Sequence, residues 1–177
     1  MDYAQILPQL FLGSYPRSID DIDRLRQESA ITAVLNLQTD ADMRSHGLFW
    51  GPLKAHYAAC GITLRRVAVR DYDALHLRYK LPECVRALDR LLTPGHLVYL
   101  HCTAGVGRSP SVAIAYLHWC GAWALDDAAA HVIGRRVCSP NVEAIRLANW
   151  HPANRKSPPR PQADQARSGS SQRKRDE

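Results

Sequence analysis

The chain has 177 residues with 46% hydrophobic content, and it contains no apolar run of 18 residues. It can therefore bury one core as a single small domain, and the sequence excludes a membrane-spanning helix. A net charge of +6 is typical of proteins that bind nucleic acids, but most of this charge lies at one end of the chain. Residues 151–177 carry +4, and residues 1–150 carry only +2. We therefore expect neither a nucleic-acid nor a membrane partner.

Strand and helix patterns alternate along the chain. Strands are predicted near Ile6 and at residues 10–13, 33–37, 63–67 and 97–100. Helices are predicted at residues 20–27, 52–60, 81–92, 109–120, 126–132 and 142–150, with Ser18 and Asn141 as N-caps. This order predicts an α/β fold in which a central sheet is flanked by helices.

The last part of the chain has a different composition. Residues 151–177 contain Pro158, Pro159, Gly169 and several serines, and they show no apolar periodicity. Such a segment cannot bury enough apolar surface to fold. We therefore predict one domain over residues 1–150, followed by a basic and disordered tail over residues 151–177.

The segment that carries most of the chemistry is His101-Cys-Thr-Ala-Gly-Val-Gly-Arg-Ser-Pro110. It lies between a predicted strand and a predicted helix, so the backbone N–H groups of residues 103–108 can curl around a dianion. The helix N-terminus adds about half a positive charge. Gly105 and Gly107 are expected to allow close approaches that a side chain would block. The predicted phosphate-binding residues are Thr103, Ala104, Gly105, Val106 and Gly107.

Cys102 and Arg108 lie six positions apart around this loop. Helix N-termini and nearby cations favour the thiolate form of cysteine, so Cys102 is the predicted nucleophile. Arg108 is predicted to hold two phosphoryl oxygens, Ser109 to hydrogen-bond the sulfur, and His101 to order the loop. The alternative is that Cys102 is an ordinary small core residue, but this does not account for the arginine and the two glycines at this spacing.

The remaining cysteines are Cys60, Cys84, Cys120 and Cys138. They show no paired metal-ligand spacing, so we expect no metal ion and no other cofactor. A required thiolate also favours a reducing compartment, and the N-terminus has neither a basic nor an apolar leader segment. We therefore predict a cytoplasmic monomer.

The loop sequence HCTAGVGRSP resembles the HCxxxxxRS signature of cysteine-dependent phosphatases of the compact dual-specificity type. The resemblance extends over residues 10–149 to the plant starch-excess and like-starch-excess glucan phosphatases, and it rests on the blocks at residues 11–18, 34–42 and 135–141. The CxAGxGR form of the loop is similar to that of glucan phosphatases including laforin. The resemblance implies one dual-specificity phosphatase domain with a central mixed sheet.

The resemblance also implies a general acid about thirty residues before the cysteine. Asp71 and Asp73 both lie there, within the stretch of residues 70–82 that resembles the acid loop of the glucan phosphatases. In that family the first Asp of an Asp-aromatic-Asp run is the acid. Asp71 is therefore the predicted acid, and Asp73 is the alternative.

A glucan presents flat C–H faces that stack on aromatic rings, so a glucan enzyme needs aromatics around its phosphate pocket. Phe49 and Trp50 match an aromatic pair in the recognition region of the family, and Tyr72 matches the aromatic beside the acid. Phe49 and Trp50 could instead close the core, although the nearby Gly and Pro residues indicate a loop. Ser139 replaces what can be an aromatic in this family, and it is the fourth predicted substrate contact.

These observations predict a phosphoglucan phosphatase that acts on a starch-like or glycogen-like α-glucan through a phosphocysteine intermediate. The alternative is a dual-specificity phosphoprotein phosphatase. A non-catalytic glucan-binding module is a third hypothesis, which the combination of Cys102, Arg108 and Asp71 disfavours.

Overall fold

The computed structural model describes residues 1–150, and the predicted tail lies outside the described residues. Five strands form one sheet in the order β1-β2-β5-β3-β4, in which β1 is antiparallel to β2 and the other pairs are parallel. The strands are β1 (Tyr3–Leu7), β2 (Leu10–Gly13), β3 (Ala33–Asn36), β4 (Thr63–Arg66) and β5 (Val98–His101). The predicted central mixed sheet is confirmed: β1 includes Ile6, and β2 to β5 begin and end within one residue of the predicted bounds.

Helices connect and cover these strands. They are α1 (Ile19–Ser29), α2 (Asp40–Ser45), α3 (Trp50–Ala59), α4 (Ala74–Leu92), α5 (Arg108–Trp119), α6 (Leu125–Ile133) and α7 (Val142–Leu147). Both predicted N-caps are confirmed, because the Ser18 hydroxyl accepts from the N–H of Asp21 and the Asn141 side chain accepts from the N–H of Ala144. None of the helices over residues 1–150 has the length and apolar character needed to cross a membrane.

Side chains along β3 and β5 point alternately to the two faces of the sheet, and the core therefore has two layers. Val34 and Tyr99 point to one side of the sheet and pack with buried residues of α1 and α3. Leu35 and Leu100 point to the other side and pack with the larger group that includes α4 to α7. Because β5 is the middle strand and is buried on both faces, the chain leaves its carboxyl end at the centre of the sheet edge, where ligands bind in folds of this type.

The predicted start of α4 and the predicted end of α7 were wrong. The start predicted at residue 81 places Pro82 in the first turn, where proline is tolerated, but α4 begins at Ala74 because the Asp73 side chain accepts from the N–H of His76. Pro82 is therefore inside the helix. At the other end of the domain, α7 ends at Leu147 instead of continuing to residue 150.

The segment after β3 was also predicted incorrectly. Thr39 and Asp42 form a capping box, in which each side chain accepts from the backbone N–H of the other, and this box begins the unpredicted helix α2. Trp50 is the first residue of α3, so the stretch expected to be a loop is helical from that residue onward.

Candidate active site

The loop after β5 turns its carbonyl groups outward. Six consecutive carbonyl oxygens each accept a hydrogen bond from a group outside the loop or at its border. The carbonyl oxygen of Cys102 accepts from the His101 ring, and that of Thr103 accepts from the Tyr15 N–H. The Arg136 guanidinium donates to the carbonyls of Ala104 and Gly105. The carbonyl of Val106 accepts from the Ser139 N–H, and that of Gly107 accepts from the Ser111 hydroxyl.

This carbonyl pattern fixes where the amide groups point. In a planar trans peptide the C=O and the following N–H point in opposite directions. The N–H groups of residues 103–108 are therefore directed to the inside of the loop. Helix α5 begins at Arg108, directly behind them, and its N-terminus adds positive electrostatic potential at the same place. The loop can accordingly hold a phosphate dianion, as the sequence predicts.

Gly105 and Gly107 differ in whether the surrounding protein leaves room for a side chain. Gly105 has a φ of +71°, and a Cβ at this position would lie 2.4 Å from the backbone of Gly13, so both the conformation and the contact require glycine. Gly107 has a φ of −109°, and a Cβ there would be 3.9 Å from the nearest atom, the carbonyl oxygen of Ser139. Contacts with other protein atoms therefore require glycine at Gly105 but not at Gly107.

The cysteine sulfur lies at the bottom of this loop. Cys102 is buried, and the Ser109 hydroxyl donates to its Sγ at 3.3 Å. His101 is also buried, and burial lowers the pKa of His101 to about 4. Its Nδ1 lies 2.9 Å from the Cys102 carbonyl oxygen, which can only accept. His101 is therefore neutral at pH 7 with its proton on Nδ1, and it orders the loop without titrating near neutral pH.

The Arg108 side chain is buried, and its guanidinium donates four hydrogen bonds. Nη1 donates to Asp42 and to the Val69 carbonyl, both at 2.7 Å, while Nη2 donates to Asp71 at 2.9 Å and to Thr103 at 3.0 Å. Among the described residues, Nε is buried without a hydrogen-bond partner. Nε and Nη2 share one edge of the guanidinium, so that edge can hold a bidentate oxyanion once one of the two acceptors on Nη2 is displaced.

Asp42 and Arg136 are parts of the site that sequence reasoning missed. Burial of Asp42 opposes ionisation, but hydrogen bonds from Arg108 and from the Thr39 N–H outweigh it and hold the pKa of Asp42 below its usual value. Arg136 is buried, donates to two loop carbonyls and pairs with Asp2 at 3.0 Å. The Thr39–Asp42 capping-box pattern could have revealed the helix start, but nothing in the sequence links either residue to the loop.

The two candidate acids have different surroundings. Asp71 pairs with Arg108 through Oδ2, and its other oxygen accepts from the N–H of Tyr72 at 3.2 Å. Asp73 caps α4, and the N–H of His76 together with Arg70 lowers the pKa of Asp73. Both carboxylates line the cavity above Cys102, and of these two Asp71 is the one that contacts Arg108.

The predicted substrate contacts divide into two groups. Tyr72 and Ser139 line the cavity of about 370 Å³ above Cys102. Tyr72 is fully exposed and has a φ of 55°, which is unusual for a residue with a side chain. Phe49 is 75% exposed, and Trp50 packs under Arg66 at 5.0 Å. Neither of these two lines the cavity.

Comparison with known proteins assigns the family. The sequence model of the family described as 'dual specificity phosphatase, catalytic domain' matches residues 10–150. In solved structures the fold is similar to PTPMT1, with a TM-score of 0.67 at 20% identity over 82% of this chain and 90% of that one.

Similar proteins include phosphoglucan phosphatases, laforin and a dual specificity protein phosphatase. The chain is 35% identical over 150 residues to the chloroplastic phosphoglucan phosphatase LSF1 of Arabidopsis thaliana, covering 85% of this chain and 25% of that protein. It is 32% identical over 150 residues to the amyloplastic phosphoglucan phosphatase DSP4 of Castanea sativa, covering 84% and 40%. Laforin of Mus musculus is 33% identical over 146 residues, covering 77% and 44%. Dual specificity protein phosphatase 2 of Mus musculus is 34% identical over 139 residues, covering 78% and 39%.

Two consequences follow from these relatives. The chain spans between a quarter and less than half of their lengths. The prediction of a cytoplasmic location was wrong by this comparison, because both plant phosphoglucan phosphatases are plastid proteins; reducing conditions, on which the prediction relied, do not distinguish the two compartments. The family match and the cysteine loop agree, and the chain belongs to the dual specificity phosphatase family.

Proposed function

We propose that this chain is a phosphoglucan phosphatase that hydrolyses phosphate monoesters on an α-glucan. The observation that carries the proposal is Tyr72, whose ring is fully exposed at the cavity above Cys102 while its backbone holds a left-handed φ of 55°. Strained conformations of this kind cluster at functional sites. A flat sugar face can stack on such a ring while its phosphate enters the loop. The names of the plant relatives support the same substrate class.

The proposed first step forms a phosphocysteine. The Cys102 thiolate attacks phosphorus, the S–P bond forms, and the P–O bond to the sugar breaks. Asp71, in its protonated form, gives its proton to the leaving oxygen. Arg108 and the loop amides hold the three other phosphoryl oxygens during the transfer.

The second step restores the enzyme. Asp71, now a carboxylate, takes a proton from water, and the oxygen of this water attacks phosphorus. The S–P bond breaks, inorganic phosphate leaves, and the Ser109 hydroxyl stabilises the returning thiolate through its 3.3 Å hydrogen bond. Atoms and charge balance without a metal ion or other cofactor.

The contacts of Arg108 support a coupling between phosphate binding and acid catalysis. Before phosphate binds, Nη2 pairs with Asp71 at 2.9 Å. A phosphate that binds Nε and Nη2 replaces Asp71 on the guanidinium edge. Asp71 is thereby released from Arg108 beside the leaving oxygen, where the first step needs an acid.

The alternative substrate is a phosphoprotein, and the similarity to dual specificity protein phosphatase 2 favours it. Phosphate release from phosphorylated amylopectin and from phosphotyrosyl and phosphothreonyl peptides distinguishes the two. We expect a higher kcat/KM on the glucan. A higher kcat/KM on the peptides would replace the proposal with the phosphoprotein function.

Aromatic variants test the glucan contacts directly. Tyr72→Ala and Trp50→Ala should each lower kcat/KM on amylopectin by about several-fold to a hundredfold, on the scale of aromatic stacking at about 1–3 kcal/mol per ring. Hydrolysis of para-nitrophenyl phosphate should change little, because this substrate reaches only the loop. Tyr79→Ala is the matched control, since Tyr79 is 79% exposed but lines a separate groove. Equal losses on both substrates would contradict a role in glucan binding.

A further inference from the structure

A second chemical cluster lies where the last turn of α3 meets α1. Asp23 on α1, His56 on α3 and Cys60 directly after α3 bring three potential metal ligands together. Nε2 of His56 is 2.9 Å from Oδ1 of Asp23 and 3.4 Å from Sγ of Cys60, and Sγ is 3.5 Å from Oδ1. The phosphatase function leaves all three residues without a role.

The atoms involved distinguish a metal site from a second catalytic site. A Cys-His-Asp triad requires the thiol at one imidazole nitrogen, which takes the thiol proton, and the carboxylate at the other, where it orients the ring. Here the thiol and the carboxylate both contact Nε2. The thiol can donate to Oδ1 of Asp23, as Nε2 can, so the three atoms converge on one point, where one cation would contact all of them.

The distances agree with those around zinc. Bond lengths of about 2.3 Å to sulfur and about 2.0–2.1 Å to nitrogen or oxygen, at tetrahedral angles, place N and O about 3.4 Å apart and S about 3.6 Å from either. The observed 3.4 and 3.5 Å match the two sulfur edges, and the 2.9 Å N–O contact needs to open by about half an ångström.

The surroundings allow an ion to enter. The side chains of His56 and Asp23 are 22% and 38% exposed, and Cys60 is partly buried. A water molecule could therefore supply the fourth ligand of a tetrahedral ion. Arg26 interacts electrostatically with Asp23 and Cys60, and its positive charge would weaken the binding of a cation without preventing it.

We propose that Asp23, His56 and Cys60 form a binding site for Zn²⁺ or a similar thiolate-accepting divalent cation. The ion would join α1 to the end of α3, the helix that begins at Trp50. The site is separate from the phosphate loop, because its residues lie on α1 and at the end of α3 and none of them lines the cavity above Cys102.

The test uses the Cys102→Ser protein as its background, because the Cys102 thiolate could itself bind zinc. Zn²⁺ affinity is measured by competition with a chromophoric chelator, and Co²⁺ binding by its thiolate charge-transfer absorption. We expect one ion per chain. Adding Cys60→Ser or His56→Gln should weaken binding at least tenfold and remove the charge-transfer band, whereas the matched control Cys138→Ser should change neither.

An additional variant keeps the proposal testable if loss of a ligand impairs folding. Arg26→Gln retains all three ligands and removes the nearby cation, so zinc affinity should rise by about two- to tenfold. The proposal is overturned if no ion binds the folded Cys102→Ser protein, if binding survives both ligand variants, if Cys138→Ser weakens it, or if Arg26→Gln leaves affinity unchanged or lower.

Discussion

Substituting Asp71 with Asn removes one proton and preserves most of the surrounding geometry. Asn has nearly the same shape, and its amide oxygen can still accept from Nη2 of Arg108, as Asp71 does at 2.9 Å. The variant therefore keeps the loop and the phosphate site but cannot protonate a leaving group. We expect kcat on phosphorylated amylopectin to fall by roughly 10² to 10⁴, which corresponds to about 2.7–5.5 kcal/mol of transition-state stabilisation.

The position of Asp71 on Arg108 adds a second expectation. A neutral amide competes less strongly with phosphate for Nη2, so KM should stay level or fall while kcat falls. The loss should also depend on the leaving group. An aryl phosphate releases a stable phenolate and needs less help from an acid, so para-nitrophenyl phosphate should lose less than the sugar phosphate.

Asp73 provides the matched control. Asn is as good an N-cap as Asp, so Asp73→Asn should preserve both α4 and activity, whereas Asp73→Ala should cost about 0.5–2 kcal/mol of stability. Steady-state kinetics on the two substrates and urea unfolding of each variant make the comparison. If Asp73→Asn shows the loss that depends on the leaving group and Asp71→Asn does not, the assignment of the acid is refuted.

Two further predictions concern residues around the loop. Asp42→Asn should lower kcat/KM about tenfold on aryl and sugar phosphates alike, because it loosens Nη1 of Arg108 without touching the acid; a loss confined to sugar phosphates would contradict this. For His101, the folded state binds fewer protons than the unfolded chain between pH 6.5 and the folded pKa of about 4, so stability should fall on acidification across this window. The histidine should contribute on the order of 3 kcal/mol. In urea unfolding, His101→Asn should reduce this acid dependence, and an unchanged dependence would show that His101 is not held neutral.

Sequence patterns predicted the parts of the site that are continuous along the chain. Cys102, Arg108 and Ser109 lie in one loop between a strand and a helix, so their spacing already defines their neighbourhood. The sheet was equally predictable, because short continuous apolar runs such as residues 97–100 mark buried strands. Position on the central strand β5 then brings the loop to the carboxyl edge of the sheet.

Groups brought together from distant segments could not be predicted in the same way. Asp42 is 66 positions from Arg108 in the sequence, and Arg136 is 31 positions from Gly105. Both are charged residues that ordinarily lie on the surface, and only packing shows that they serve the loop. The same limit applies to His56 and Cys60, whose helical spacing is visible in the sequence but whose third partner, Asp23, comes from another helix.

The two carboxylates on Arg108 differ in how firmly they are held, and this difference fits the proposed chemistry. Asp42 accepts from Thr39 within a helical capping box, and its side chain is only 17% exposed, so it is a fixed partner of Nη1. Asp71 lies in a loop, and its side chain is 38% exposed. A phosphate dianion that reaches the guanidinium must displace one of them, and the less constrained Asp71 gives way at lower cost. In the proposed mechanism the fixed carboxylate keeps Arg108 oriented, while the exchangeable one is released beside the leaving oxygen when a substrate binds.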